Sequence, residues 1–288
     1  MSIWTTIEAP VVSPPGIPVL VVGNLKGGVG KTTIVAHLSA GLVSRGVRVL
    51  AIDLDFQASL SVAFPSGVVP LSSKADGSVN ALVRSSYDVF NDWRFCARGH
   101  DAFSRLALVP TSLELADVED LLFARFVLGK HTDDDRFALA RKLADPRLSK
   151  DFDVVIIDTP PRLTTATINA LCACSHVLIP TSLTPLSDSG AVTFAAFLSK
   201  FKARLCPRIQ ILSIVPTLTR GALNFQEQNS VNRIKTALPG VPVWDDVFIP
   251  RRQAIADNNI SNPESREIFG RLAERVKIQL GLRETCQN

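Results

Sequence analysis

Short apolar runs alternate with longer helical patterns along most of the chain. The runs are rich in β-branched residues and contain few polar positions, which is typical of strands buried on both faces of a parallel sheet. The predicted strands are residues 17–22, 47–52, 106–109, 154–157, 177–179 and 209–215. Strands that alternate with helices predict a doubly wound α/β fold, in which helices cover both faces of a mostly parallel sheet.

Apolar residues recur at helical spacing between these strands. After the first strand the stripe runs from Ile34 to Val43, and the helix ends near Gly46. Further helices are predicted at residues 113–128, 134–148, 164–173, 186–201 and 264–280. Between residues 61 and 105, frequent Pro, Gly, Ser and Asp favour loops and short helices.

A chain of 288 residues, 46% of them hydrophobic, is long enough for one well-packed α/β domain. The first 17 residues lack the basic stretch and apolar core of a targeting peptide, so we expect an irregular arm at 1–17 and a single domain at 18–288. Because no apolar run reaches the roughly 18 residues of a membrane span, we expect a cytoplasmic protein.

Five cysteines occur in the chain, and reduced thiols are the expected state in the cytoplasm. They are Cys96, Cys172, Cys174, Cys206 and Cys286. Cys172 and Cys174 form a C-x-C pair, but no histidine or second cysteine pair lies at a metal-ligand spacing from it. We therefore expect buried thiols that behave as small hydrophobic side chains.

A glycine-rich segment, KGGVGKT at residues 26–32, joins the first predicted strand to the first predicted helix. Such a loop wraps backbone N–H groups around phosphates, and the helix that follows contributes the positive end of its dipole. Lys31 would reach the β- and γ-phosphates, and the Thr32 hydroxyl would hold Mg²⁺. The predicted ligands are thus the phosphates of a nucleotide and Mg²⁺. The candidate nucleotide-binding residues here are Lys26, Gly27, Gly28, Val29, Gly30, Lys31, Thr32 and Thr33.

Carboxylates follow two of the buried strands. Residues 154–161 (VVIIDTPP) have the pattern of a Walker B strand, which would place Asp158 against the hydration shell of Mg²⁺. The second predicted strand closes on Asp53 and Asp55. The pattern makes Thr32 and Asp158 candidate metal-site residues.

The glycine loop departs from the standard Walker A motif, because Leu25 occupies the first glycine position and an extra lysine, Lys26, precedes Lys31 by five residues. In this it resembles the deviant Walker A motif of the ParA/MinD group of P-loop ATPases, and the resemblance extends over roughly residues 18–280. It implies that Lys26 contacts phosphates bound by the other subunit of a homodimer. ATP would then form part of the subunit contact.

Two further segments are similar to this group. Residues 49–57 (VLAIDLDFQ) resemble its D-x-D-P-Q segment, with Phe56 in place of the usual proline. The resemblance implies that Asp55 positions the attacking water, and that Asp53 supports the Mg²⁺–Thr32 shell or the loop lysines. The catalytic candidates are therefore Lys26, Lys31 and Asp55. Pro250, in an Ile-Pro-Arg sequence, is similar to the element near which the group holds adenine.

The resemblance to ParA proteins implies a partitioning ATPase whose ATP-bound dimer binds DNA non-specifically, associates with the nucleoid and is released on hydrolysis, segregating plasmid or chromosomal DNA. Hydrolysis would be weak alone and stimulated by a centromere-binding ParB-like protein. From Lys200 onwards the chain has 14 Lys and Arg against 8 Asp and Glu, which is compatible with a phosphate backbone as partner. The candidate DNA-binding residues are Arg220, Arg233, Lys235, Arg251, Arg252, Arg266, Arg271 and Arg275.

Other functions remain open at this point. A related ATPase that positions a non-DNA cargo, as in the MinD branch, would share the nucleotide site and differ in its partner. The last helix has a polar face of mixed charge, so we expect it to pack against the sheet and not to bind a membrane stably. A metabolic or electron-transfer P-loop enzyme would need suitably placed cysteines, and a non-hydrolysing scaffold would not need Asp55 and Lys26.

Overall fold

The computed structural model describes residues 10–63, 68–69, 97–99, 104–129, 134–257, 260 and 262–283. Within these residues the strands form one sheet in the order β3-β4-β5-β2-β6-β1-β7-β8-β9. The strands are β1 (Val19–Val22), β2 (Val49–Asp53), β3 (Val68–Val69), β4 (Ala97–Gly99), β5 (Leu106–Val109), β6 (Val154–Asp158), β7 (His176–Ser182), β8 (Gln210–Thr219) and β9 (Ile249–Pro250). The strands from β5 to β9 in this order pair in parallel, whereas β3 and β4 pair antiparallel at one edge. The predicted fold class is confirmed.

Helices cover both faces of this sheet. They are α1 (Lys31–Val43), α2 (Ser59–Ala63), α3 (Glu114–Leu128), α4 (Ala138–Leu143), α5 (Leu148–Asp151), α6 (Thr165–Ala173), α7 (Pro185–Arg204), α8 (Phe225–Ala237), α9 (Gln253–Ala256) and α10 (Pro263–Gln279). In β1, Val19 and Val21 enter the hydrophobic cluster with α3, α4, α6 and α7, while Leu20 and Val22 enter the one with α1 and α10. This alternation follows from the two-residue side-chain period of a strand.

The terminal helix α10 packs on α1, the helix that follows the glycine loop. Its apolar stripe, which includes Ile268, Leu272 and Val276, is buried. A Cβ atom added at Gly41 of α1 would lie 2.9 Å from Ala273 Cβ, so the two helices approach closely at this position. The apolar face of α10 is therefore covered by the protein itself, in agreement with the prediction of a packed helix.

One prediction of local structure was wrong and another was incomplete. The single helix expected at 134–148 is divided into a 3₁₀ turn (Asp135–Phe137), α4 and α5. Pro146 lies between α4 and α5, and its missing N–H and its ring prevent a continuous helix. Within the segment 61–105, where we expected loops and short helices, the described residues include the end of the short helix α2 and also the strands β3 and β4, which were not predicted. Residues 64–67, 70–96 and 100–103 lie outside the described part. Strands of two or three residues are too short to show a hydrophobic period.

No helix among the described residues is both long and apolar enough to cross a membrane.

Candidate functional site

The carboxyl ends of three adjacent strands bring the predicted metal-site residues together. Asp158, the last residue of β6, is in register with Val22 of β1 on one side and with Asp53 of β2 on the other. Thr32, in the first turn of α1, donates a hydrogen bond from Oγ1 to Asp158 Oδ2 at 2.7 Å. The structure therefore places Thr32, Asp53 and Asp158 in one group at this edge of the sheet.

The glycine loop has the backbone geometry of an anion-binding turn. Gly28 and Gly30 have φ angles of +70° and +85°, which L side chains rarely adopt. No described atom lies within 4 Å of a Cβ built at either glycine, so both face open space. Gly30 is also the N-cap of α1, so no side chain caps the N–H groups of the first turn. These N–H groups, at the positive end of a 13-residue helix, are suited to bind phosphate.

Lys31 occupies the base of this loop and is only 7% exposed. Its Nζ donates to the backbone carbonyl of Lys26 at 3.1 Å. Burial lowers the pKa of Lys31, and the charges of Asp158 and Asp55 act in the opposite direction. The ammonium group is thus a desolvated cation near two carboxylates, where its electrostatic attraction to an anion is stronger than in water.

The carboxyl groups of Asp53 and Asp158, at the ends of β2 and β6, both have raised pKa values. Burial raises the pKa of Asp158 to about 8, with the neighbouring Asp53 as the next contribution. Burial also raises the pKa of Asp53 to about 6, although its carboxylate accepts hydrogen bonds from the N–H of Asp55 and from the N–H and Oγ of Ser61. Two adjacent buried carboxyl groups ionise together only when a cation compensates their charge.

A divalent cation fits this arrangement. Asp158 Oδ1 is buried and has no hydrogen-bond partner among the described residues. Oxygen ligands of this kind, a carboxylate and a threonine hydroxyl, are those that Mg²⁺ prefers. The described residues hold no cluster of three or more His, Cys, Asp or Glu that could bind a metal ion alone. A cation here would therefore complete its coordination with phosphate oxygens and water, as Mg²⁺ commonly does.

Asp55 lies in a turn that follows β2. Its N–H donates to Asp53 Oδ1 at 3.1 Å, and its own Oδ1 accepts from the N–H of Gln57 at 3.1 Å.

The neighbouring Phe56 packs under the guanidinium of Arg162, which lies 5.0 Å from the ring centroid. Sequence reasoning did not find Arg162. Its position in the sequence could have indicated the contact, because Arg162 follows Asp158-Thr159-Pro160-Pro161 directly. The segments after β6 and after β2 both begin at the carboxyl edge of the sheet.

Lys26 is fixed by contacts that the sequence did not predict. Its N–H donates to Asn24 Oδ1 at 3.0 Å, and Asn24 Nδ2 donates to the carbonyl of Pro180 in β7 at 2.8 Å. The Lys26 ammonium donates a hydrogen bond to Ser187 Oγ, in the first turn of α7. Asn24 and Ser187 are thus additional residues of the site. Asn24 could be suspected from its position next to the loop, but Ser187 carries no such signal.

Pro250 lies in β9, beside the carboxyl end of β8. It is in register with Thr219, whose carbonyl accepts a hydrogen bond from the N–H of Arg251 at 2.8 Å. Since β8 and β9 are parallel, Pro250 is at the same edge of the sheet as the glycine loop. Its contact with adenine stays a prediction.

The eight basic candidates are spread over three parts of the surface: α8, α10 and the carboxyl edge next to β8 and β9. Those in ion pairs within the described residues are Arg233 with Asp188 (2.6 Å), Lys235 with Asp245 (2.8 Å), Arg252 with Glu264 (2.8 Å) and Arg275 with Asp246 (2.5 Å). The remaining candidates, Arg220, Arg251, Arg266 and Arg271, are exposed. Charge counted along the sequence therefore overstates the number of cations that are ready to meet a phosphate.

The cysteines in the described part of the chain are free thiols buried in the core. Burial raises the pKa of Cys172 and Cys174, so both remain protonated. This agrees with their interpretation as hydrophobic side chains. Cys96 and Cys286 lie outside the described residues.

Comparison with known proteins finds a matching family and several similar proteins. Residues 17–211 match a protein family described as an AAA domain. The chain is 31% identical over 210 residues to the chromosome-partitioning ATPase Soj of Thermus thermophilus, covering 73% of this chain and 72% of Soj. It is 33% identical over 177 residues to a putative replication protein A of Rhizobium rhizogenes, covering 57% of this chain but only 39% of that protein.

Among solved structures, the fold matches cobyrinic acid a,c-diamide synthase from Mycobacterium smegmatis with a bound ATP analogue and magnesium. The TM-score is 0.69 at 26% sequence identity, and the match covers 94% of this chain and 99% of the other.

Proposed function

This chain belongs to the ParA/MinD group of deviant Walker A P-loop ATPases, and from that we propose that it is a DNA-partitioning ATPase that acts as an ATP-dependent dimer. The observation that carries the proposal is the glycine loop with two lysines, Lys26 and Lys31, at the same sheet edge as Thr32, Asp53 and Asp158. A P-loop that served only to bind nucleotide within one subunit would have no need of the second lysine.

In this proposal the glycine loop and the first turn of α1 bind the phosphates of ATP, and Lys31 pairs with the β- and γ-phosphates. Thr32 and Asp158 hold Mg²⁺, with Asp53 behind them, and Pro250 lies near the adenine. Bound Mg²⁺ supplies positive charge that offsets the negative charge of the transferring phosphoryl group. The raised pKa of Asp158 means that its carboxyl ionises fully only when such compensation is present.

Hydrolysis of ATP to ADP and phosphate depends on Asp55 in this scheme. Asp55 accepts a hydrogen bond from the attacking water and orients it towards the γ-phosphate. The turn after β2, which holds Asp55 through Asp53 and Gln57, keeps the carboxylate at the carboxyl edge. We expect hydrolysis to be slow in the isolated protein and to be stimulated by a ParB-like partner.

Lys26 makes the nucleotide part of the subunit contact. In the dimer each Lys26 pairs with phosphates bound by the partner and adds positive charge there. ATP then favours the dimer because it binds the dimer more tightly than the separate subunit, and it shifts the equilibrium by that difference in affinity. Loss of the γ-phosphate removes part of the shared charge, and the dimer separates.

Two subunits double the number of phosphate contacts available to DNA, so dimerisation raises the affinity for DNA steeply and salt weakens it. Arg220, Arg251, Arg266 and Arg271 are the first candidates, because they are exposed and no carboxylate of the described residues forms an ion pair with them. Arg233, Lys235, Arg252 and Arg275 would each have to exchange the ion pair described above.

Co-sedimentation of the protein with plasmid DNA or with anionic lipid vesicles, in ATP, ADP or no nucleotide, tests this function. We expect binding to DNA in ATP alone, lost at high salt, and no binding to vesicles. The double variant Arg220→Ala/Arg251→Ala should bind DNA more weakly, whereas Arg147→Ala, at the amino edge next to α5, should bind as the parent does. ATP-dependent binding to vesicles without binding to DNA would instead favour a MinD-like positioning ATPase.

A further inference from the structure

The start of α7 holds the side chain of Lys26 inside its own subunit. The Lys26 ammonium donates a hydrogen bond to the hydroxyl of Ser187, a residue that is fully buried. The backbone of Lys26 is fixed at the same time, since its N–H bonds to Asn24 and its carbonyl accepts from Lys31. Lys26 is therefore placed by a defined set of contacts and does not simply extend into solvent.

The hydrogen-bonding capacity of the Ser187 hydroxyl is fully used when Lys26 is bound to it. Besides the bond from Lys26, it accepts a hydrogen bond from Thr184 Oγ1 at 3.1 Å and lies 2.6 Å from Ser182 Oγ. A hydroxyl has two lone pairs and one proton. Accepting from Lys26 and Thr184 while donating to Ser182 uses all three. The lysine thus occupies one of the two acceptor positions of Ser187.

The turn that carries Ser187 is itself anchored. Thr184 caps α7 by accepting from the N–H of Ser187. The next residue, Asp188, is 5% exposed and forms an ion pair at 2.6 Å with Arg233 of α8. Because α7 and α8 are held together at this point, the acceptor keeps its place when Lys26 moves. A move of Lys26 to another partner must therefore break its bond to Ser187.

We propose that Ser187 is a positioning residue for Lys26: it holds the lysine in the separate subunit and releases it when Lys26 pairs with phosphate on the partner subunit. This inference rests on the proposed ATP-dependent dimer. A hydrogen bond present only in the separate subunit stabilises that subunit relative to the dimer. Ser187 therefore raises the ATP concentration at which dimers form, and it keeps Lys26 from pairing with other anions.

The first test needs no nucleotide. An amine-acylating reagent is applied to the nucleotide-free protein, and modification of Lys26 relative to exposed Lys202 is measured by mass spectrometry. In Ser187→Ala the loss of a charge-assisted bond should increase the relative rate at Lys26 by roughly 3- to 10-fold. The matched control is Ser199→Ala on the same helix, where the hydroxyl donates to the Ala195 carbonyl at 3.1 Å. Its rate should equal that of the parent.

Ser187→Cys provides a second variant in case the alanine protein does not fold. A thiol of similar size is a weak acceptor, so it should give an intermediate rate at Lys26. An unchanged rate in the folded Ser187 variants overturns the inference.

The second test measures dimerisation against the concentration of a non-hydrolysable ATP analogue with Mg²⁺. Ser187→Ala should reach half-maximal dimer at a roughly 3- to 10-fold lower concentration than the parent, and Ser199→Ala at the same concentration. If Ser187→Ala needs an equal or higher analogue concentration for half-maximal dimer than the parent, the positioning role is contradicted. If the parent and all variants stay monomeric while the reactivity of Lys26 rises as expected in Ser187→Ala, the proposed dimer is wrong, but the interaction of Ser187 with Lys26 is supported.

Discussion

Thr32 Oγ1 donates a 2.7 Å hydrogen bond to Asp158 Oδ2, joining the first turn of α1 to the end of β6. The other oxygen of Asp158 is buried without a hydrogen-bond partner among the described residues. Burial, with the neighbouring Asp53 as the next contribution, raises the pKa of Asp158 to about 8, although the hydrogen bond from Thr32 lowers it. A bound cation would give the unpaired oxygen of Asp158 a partner and would compensate the charge of its carboxylate.

Thr32→Val keeps the shape of the side chain and removes its hydroxyl. We expect nucleotide affinity in the presence of Mg²⁺ to fall about 10-fold or more, because the proposed metal ligand and the hydrogen-bond donor to Asp158 are lost together. Calorimetric titration with and without Mg²⁺ measures this effect. The exposed Thr193→Val on α7 serves as the control and should bind as the parent does. An unaltered Mg²⁺ dependence in Thr32→Val would count against the assignment of this metal site.

Lys31→Ala should abolish measurable nucleotide binding, with a loss of about 100-fold or more, because in the proposed site the ammonium makes charge-assisted bonds to two phosphates. Removal of the buried cation also leaves Asp158 and Asp55 with less compensation. Binding of a fluorescent ATP analogue measures the loss, and circular dichroism checks the fold. Lys202→Ala, on the exposed side of α7, should bind normally. Near-normal binding by Lys31→Ala would show that the phosphates lie elsewhere.

Asp55→Ala should retain ATP binding and lose about 100-fold or more of the hydrolysis rate, as expected for removal of a residue that orients the attacking water. Since the γ-phosphate then persists, the ATP dimer should accumulate on DNA. Phosphate release and DNA co-sedimentation measure the two effects on the same samples. Normal turnover by Asp55→Ala would show that another residue positions the water.

His37 of α1 predicts a loss of stability in acid. It is 3% exposed and stacks on Phe269 with ring centroids 4.4 Å apart, and burial lowers its pKa from 6.5 to about 4. Between these values the unfolded chain binds a proton that the folded protein does not, so stability falls as pH decreases from 6.5 towards 4. This contribution amounts to about 2 kcal/mol between pH 7 and pH 5.

Urea unfolding of the parent and of His37→Phe at pH 7 and pH 5 isolates this contribution, since the other titrating groups are common to both proteins. The variant should lose less stability on acidification by about the amount given above. Equal losses in the two proteins would mean that His37 is protonated in the folded state as readily as in the unfolded chain.

The main parts of the site could be predicted from the sequence because each is local. Asp53 and Asp158 each end a buried apolar run, and parallel strands place their carboxyl ends at one edge. The glycine loop lies between a strand and a helix and fixes its own conformation. The shared edge follows from the alternation of strands and helices alone, whereas the direct pairing of Asp53 with Asp158 depends on β2 lying beside β6.

Contacts that depend on strand order could not be predicted. Ser187 meets Lys26 because β7 lies beside β1, and no hydrophobic pattern states which strands are neighbours. The pairing of Arg233 with Asp188 likewise depends on how α8 packs against α7. For the same reason the sequence could not distinguish basic residues that are already in ion pairs from those that face solvent.

Sedimentation velocity of the protein saturated with Mg²⁺ and a non-hydrolysable ATP analogue tests the central claim most directly. The parent should sediment as a dimer with the analogue and as a monomer with ADP, while Lys26→Gln should bind the analogue and remain monomeric. A parent protein that stays monomeric at saturation, or a Lys26→Gln variant that dimerises as the parent does, would contradict a nucleotide shared between two subunits.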